Sequence, residues 1–397
     1  MHLTSDENEM LSGLQSRATQ KAMQILVALG EIYGAKRMLP VNSVQIAGVS
    51  YDNLGEAGLQ FLCAMADGGG RVRVLTTLNP AGMDIENWRT LGIPPEFAEK
   101  QQLVLEAFSR MGVTTTCTCT PYLTGNLPHY AEHIAWSESS AVCYANSVIG
   151  ARTNREGGPS ALASALTGLT PEYGFHLSEN RLPSLTIQVT ARLAENSDFG
   201  ALGKVIGEQI QATKTVPYIL GIHTATLENL KSFCASLATY GGVALFHMQG
   251  ITPEAALFTP PHVRVNITQA ELEAAIHSLN DASETEVDFI SLGCPHLSIR
   301  EIELIARLLD GKQVKKEFWI TTARITKQIA DHMGYSRTIE AAGAKFAADT
   351  CCVVAPIQGR FNAMATDSAK ACYYASAKNK FKTVLLPFED VVKQALR

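Results

Sequence analysis

Short apolar runs rich in β-branched residues alternate along this chain with longer stretches whose apolar positions recur every three or four residues. The first kind, at 44–49, 72–77, 113–117, 141–145, 185–189, 216–222, 243–247, 287–292, 318–321, 352–355 and 383–386, predicts strands. The second kind, at 19–33, 95–111, 160–167, 227–239, 269–279 and 299–309, predicts helices. Strand and helix taken in turn are the signature of α/β architecture with mostly parallel sheets. No internal repeat, low-complexity tract or Pro/Ser-rich linker interrupts the pattern. Borders between units are therefore expected inside ordinary loops near 140 and 285, giving subdomains 1–140, 141–285 and 286–397.

Composition narrows the partners. With 46% hydrophobic and 18% charged residues over 397 positions, the chain can bury a large core, and its net charge of −5 leaves no broad basic surface for nucleic acid. The run Lys378, Asn379, Lys380, Phe381, Lys382 is short and reads as a solvated face. The opening MHLTSDENEML is acidic where a secretory signal is basic, and no apolar stretch approaches the roughly 18 residues that cross a bilayer. A cytoplasmic protein without a membrane span is expected. Nine scattered cysteines, an odd number, read as reduced thiols, core residues or metal ligands, not as a disulfide framework.

Three of these cysteines stand where α/β enzymes build their sites: Cys119 in CTPY, Cys294 in LGCPH and Cys351 in ADTCC. Cys294 is followed directly by Pro295, and Cys119 by Thr120 and Pro121, which ends a strand ladder and puts both thiols in loops at strand ends. Ligands in open α/β sheets gather there. Three thiolates drawn from separate strand ends, without CxxC spacing, invite an iron–sulfur cluster with one iron left open for chemistry. A lone cysteine is more often a small buried hydrophobe, but three in comparable settings shift that balance. Cys117 and Cys352, beside two of the three, leave the choice of ligands open, and Cys63, Cys143, Cys234 and Cys372 read as core.

A second constellation is ARTNREGGPSA at 151–161. Arg152, Asn154, Arg155 and Glu156 place two guanidiniums, an amide and a carboxylate ahead of a glycine turn and a helix start that includes Ser160, a pattern suited to gripping a carboxylate. The plainer alternative is a helix start whose charges pair among themselves. Neither Gly68, Gly69, Gly70 nor the looser Gly200, Gly203, Gly207 forms a dinucleotide or phosphate fingerprint.

Taken together, CTPY, HxAWSESSAVxYANSVIGARTNREGGPSA, LFHMxGxTPEA, LGCPH and ADTC, with EIYGA, AGVSYDNLGEAGLQFL, TTLNPAGMD and TDSAKACYY, resemble the catalytic unit of the aconitase X family over nearly the whole chain. The resemblance implies an aconitase-like α/β fold and an iron–sulfur hydro-lyase whose [2Fe-2S] or [4Fe-4S] cluster is held by Cys119, Cys294 and Cys351. Cys117 and Cys352 depart from its pattern. It also implies a separate small swivel-domain subunit as partner, since no segment here resembles that domain. Within the matching stretches, His247, Lys370 and Glu156 are candidate catalytic groups. Ser50, Tyr51, Thr76, Asn79, Arg152, Asn154, Arg155, Ser160 and Ser368 are candidate substrate contacts, with His133 as a further donor.

Two dehydrations go with the resemblance, of cis-3-hydroxy-L-proline and of mevalonate 5-phosphate. The modest charge content argues against a hyperthermophile and so favours hydroxyproline, with the phosphate substrate second. A non-catalytic subunit binding zinc or an acidic ligand is the reading from another class.

Overall fold

The computed structural model describes residues 1–210 and 215–397, arranged around three parallel sheets that follow one another along the chain. The first has Ser43–Ile46 between Leu75–Leu78 and Ala135–Trp136. Helices Arg17–Ile32, Tyr51–Asp67, Pro95–Arg110 and Gly158–Thr167 surround it, with Met23, Leu26, Val44, Leu78, Phe108 and Leu162 in its core. A two-stranded antiparallel ribbon, Met38–Pro40 against Leu169–Pro171, closes this unit.

The second sheet runs His247–Met248, Pro217–Leu220, Leu185–Val189, Arg264–Ile267. The third has five strands, in the order Lys345–Ala348, Glu317–Thr322, Phe289–Leu292, Ala363–Thr366, Lys382–Leu385. Parallel sheets covered on both faces need apolar residues at successive positions, and Phe289–Leu292 is buried at all four. Helix Ile299–Leu309 shows how local signals fix the cover: Ser298 and Glu301 form a reciprocal cap, and Ile302, Ile305, Ala306 and Leu309 make one apolar stripe facing this sheet.

Helices Asn196–Ile210 and Leu227–Gly241 pack against each other in the second unit through glycine. A Cβ on Gly203 would lie 2.8 Å from the Leu237 nitrogen and 2.8 Å from the Phe233 oxygen, and one on Gly207 would lie 2.7 Å from the Gly241 nitrogen. These glycines, which match no phosphate loop, let two helix backbones touch.

Several predicted strands differ in the structure. Residues 141–144 belong to helix Ser139–Tyr144, started by the Glu138 carboxylate, which accepts the Ala141 N–H at 2.7 Å, and Ala145 begins the π-helical turn that follows. That helix is buried from Ser140 to Tyr144 and so shows no amphipathic period to separate it from a buried strand. The 113–117 stretch contributes only an isolated bridge between Thr77 and Thr114, because Cys117 turns the backbone into the left-handed region at φ 43°. Residues 352–355 form a turn, the strand lying earlier at Lys345–Ala348, and of 243–247 only His247 enters a strand. Among the described residues no helix is long and apolar enough to cross a membrane.

Candidate active site

The carboxyl ends of the first and third sheets face each other, and the loops leaving them interlock. The Ala81 N–H donates to the Asp349 carbonyl at 2.8 Å and the Ser50 hydroxyl to the Val354 carbonyl at 3.0 Å. Cys119 comes from the first unit, Cys294 follows strand Phe289–Leu292 by two residues, and Cys351 follows Lys345–Ala348 by three. Three side chains hold the carbonyls of the 352–354 turn: Asn379 bonds that of Cys352 at 2.8 Å, Lys378 that of Val353 at 3.0 Å, and Ser50 that of Val354. Lys378 also pairs with Asp52 at 2.9 Å, so the basic run expected as a solvated face is in part the support of this turn.

The three thiols are near enough to sense one another. Burial pushes Cys119 up to about 12, with Glu138 and then Cys351 adding to the rise. Burial also raises Cys294 well above the ordinary thiol range, Lys370 opposes it, and Cys351, Cys352 and Cys119 add to it. Cys351 is raised by burial against two backbone N–H groups and the positive charge of Lys370. Cys119 and Cys351 keep 8% and 6% exposure while Cys117 and Cys352 keep 0% and 1%, so within each neighbouring pair the former opens toward the site.

Beside the thiols lies a buried ion pair joining the first unit to the third, Lys370 Nζ to Glu138 Oε1 at 2.6 Å. Burial works against both charges, and each outweighs it for the other: Lys370 and two hydrogen bonds hold Glu138 below the carboxylate range, while Glu138, Cys294 and Cys119 hold the Lys370 amine above its own. Gln45 donates to the Asn79 carbonyl oxygen at 3.3 Å and accepts the Glu138 N–H at 2.9 Å, linking the first two strand ends to this pair. Among the described residues no three His, Cys, Asp or Glu side chains form a ready-made site for a single metal ion.

Models of the aconitase X first, second and third domains match residues 1–179, 183–277 and 287–397. The chain belongs to the aconitase X family. A phosphomevalonate dehydratase large subunit from Methanosarcina mazei is 47% identical over 100% of this chain and 97% of its own length. A cis-3-hydroxy-L-proline dehydratase from Hypocrea jecorina is 34% identical over 94% of this chain and 65% of its own length. A crystal structure of aconitase X from Thermococcus kodakaraensis in its holo form, at 43% identity, superposes with a TM-score of 0.93 over 100% of both chains. The α/β fold with mostly parallel sheets is thus that of aconitase X, and the chain is a hydro-lyase of aconitase X type.

In this aconitase X chain the expected site residues divide. Cys119, Cys294, Cys351 and Lys370 come together, with Ser50 and Asn79 at the adjoining strand ends. Ser368 caps helix Ala369–Tyr374 by accepting the Ala371 N–H at 3.1 Å, and it lines with Cys294, Lys231, Glu301 and Asp367 a cavity of about 10 Å³, the space of one water. Tyr51 heads helix Tyr51–Asp67, its hydroxyl 3.2 Å from Glu56, and Thr76 is 1% exposed with its hydroxyl returned to the Val74 carbonyl.

The 151–161 constellation does not form a two-arginine clamp. Arg152 donates to the His176 carbonyl at 3.1 Å and to Ser178 at 3.0 Å, whereas Arg155 is exposed and makes no side-chain hydrogen bond among the described residues. Asn154 fixes the 173–175 turn, donating to the Tyr173 carbonyl at 3.0 Å and accepting the Phe175 N–H at 2.9 Å. Glu156 is buried, its carboxyl raised by burial, with one oxygen 2.6 Å from the Ser160 hydroxyl and the other without a partner. His133 pairs with His176, Nδ1 to Nδ1 at 2.9 Å. His247, an expected catalytic group, is 1% exposed in the second unit, where it bonds the Arg181 carbonyl at 2.8 Å between Tyr218 and Phe258, the setting of a core histidine.

Sequence reasoning passed over Glu138 in WSESS and His296 in LGCPH. Glu138 is hidden because the apolar run after it, 141–145, reads as a strand, whereas the carboxylate caps a buried helix. His296 donates its backbone N–H to the Cys119 sulfur at 3.2 Å.

Proposed function

We propose that this chain is the catalytic large subunit of a cytoplasmic iron–sulfur hydro-lyase that removes water from mevalonate 5-phosphate together with a small swivel-domain subunit. The observation that carries the reading is the likeness of the whole chain to phosphomevalonate dehydratase large subunits, at 47% identity for the Methanosarcina relative against 34% for the hydroxyproline enzyme. This reverses the order of substrates expected from charge content, which is too weak a signal to separate them.

The donor set suits a cluster. Three thiols meet with a backbone N–H aimed at one sulfur and a lysine ammonium whose charge favours thiolates, an arrangement in which metal binding overcomes their raised proton affinity. When bound, such a cluster supplies a Lewis-acidic iron with an open position for a substrate oxygen. Lys370, kept cationic by Glu138, sets a fixed positive charge beside the thiols that attracts the anionic substrate. Ser50 and Asn79 hold the rim, and the buried, raised Glu156 carboxyl stands in reserve as a proton carrier.

The test is anaerobic co-expression with the small partner, followed by iron and sulfide analysis and assays on both substrates. Bound iron and sulfide with turnover of mevalonate 5-phosphate is expected. Turnover of hydroxyproline alone would replace the substrate, and colourless protein with stoichiometric zinc would replace the cluster by the zinc-binding alternative.

A further inference from the structure

We infer that His296 is a positioning residue that sets the mutual geometry of the three thiols and the strength of the hydrogen bond to the Cys119 sulfur. The inference rests on the reading of Cys119, Cys294 and Cys351 as cluster ligands. His296 is fully buried, and it touches the chain next to every one of the three. It lies two residues after Cys294, and its backbone N–H donates to the Cys119 sulfur. Its ring spans the two remaining loops: Nδ1 is 2.9 Å from the Thr118 hydroxyl, directly before Cys119, and Nε2 is 2.9 Å from the Thr350 carbonyl, directly before Cys351.

The partners fix the tautomer. A carbonyl only accepts, so Nε2 carries the proton and donates to Thr350, leaving Nδ1 to accept from the Thr118 hydroxyl. Thr118 is itself held, its oxygen 3.1 Å from the Thr120 hydroxyl and accepting the Thr120 N–H at 3.2 Å. The backbone of His296 is anchored from the other side, because Lys231 donates to its carbonyl at 2.8 Å and to Glu301 at 2.6 Å. Ring and carbonyl are thus both tethered, and the peptide N–H between them has one direction left, toward sulfur.

An N–H bond to a ligand sulfur withdraws charge from it and raises the reduction potential of a cluster it binds. Loss of the ring frees the peptide to turn and lets the Cys119 and Cys351 loops drift independently.

The experiment compares wild type with His296→Ala, Thr118→Val and Thr118→Ser, all co-expressed with the small partner and purified anaerobically. It measures iron and sulfide content, the rate of iron loss to a chelator, the visible spectrum and the midpoint potential. The expected result is iron loss ten- to hundredfold faster in His296→Ala, the size of effect typical of groups that orient metal ligands, with a more negative potential. A smaller change of the same sign is expected in Thr118→Val and a near-wild-type rate in Thr118→Ser. Should His296→Ala fail to fold, the nearly isosteric Thr118→Val carries the test. Wild type holding iron while both variants match its loss rate and potential would overturn the inference. Wild type holding no iron would instead overturn the cluster reading beneath it.

Discussion

At the scale of single residues, burial decides what each candidate can do. Cys294 lies at a strand mouth among two other thiols and a lysine, whereas Cys63 packs against the core of the first unit. Cys294→Ala is expected to abolish iron–sulfur loading and Cys63→Ala to leave it intact, measured as iron and sulfide per chain after anaerobic purification. Equal loading of the two variants would remove Cys294 from the ligand set.

His176 gives a prediction in pH. Burial, His133, Arg181 and Arg152 lower its imidazole from 6.5 to about 3, so the unfolded chain takes up a proton that the folded one refuses. Stability at this position is complete above pH 6.5 and is lost as pH falls through that range toward 3. Relative to His176→Gln, wild type should lose about 3 kcal/mol between pH 7 and pH 4, read from urea midpoints. Parallel midpoints in the two proteins would show that the ring is not held neutral.

Of the three cysteines, Cys294 was legible as a strand-end thiol, because Pro295 follows it directly and strand Phe289–Leu292 ends two residues before it. The lysine–glutamate pair beside them was not, since Glu138 and Lys370 lie far apart in the chain and neither sits in a pattern that distinguishes a buried ion pair from two surface charges.

At the scale of elements, the crossing of helices Asn196–Ile210 and Leu227–Gly241 depends on absent side chains. Gly203→Val would drive a branched side chain into the Leu237 and Phe233 backbone, which cannot move aside as a flexible side chain would. A loss of about 3 kcal/mol in the unfolding free energy, read from urea midpoints, is expected. Less than about 0.5 kcal/mol would mean that the helices separate freely.

Elements were readable where sequence period and burial agreed. The stripe of Ile299–Leu309 and the apolar run of Phe289–Leu292 each have one interpretation, given their flanks. Helix Ser139–Tyr144 and the turn after Cys351 did not, because a short segment buried on all sides carries no period, and the carbonyls of that turn are satisfied by Ser50, Lys378 and Asn379 from distant parts of the chain.

For the whole molecule, the seam between the first and third units is polar and shared. Arg324 reaches from the third unit to Asp84 and Glu86 in the first while also binding Asp349, and Asp84 and Asp349 are 0% and 1% exposed at their side chains. Arg324→Gln would leave two buried carboxylates facing each other and should cost 3–5 kcal/mol, the usual penalty for breaking a buried pair. Calorimetry should show the third unit melting earlier than the rest. A single unshifted transition would mean that the seam is held by other contacts.

Because Cys119 belongs to the first unit to be synthesised and Cys294 and Cys351 to the last, the ribosome releases one thiol long before the others exist. Assembly of any metal centre on them must wait for translation to finish. Until then the early thiol is an unguarded target for oxidants, which makes the timing of C-terminal folding a determinant of how much functional protein a cell obtains.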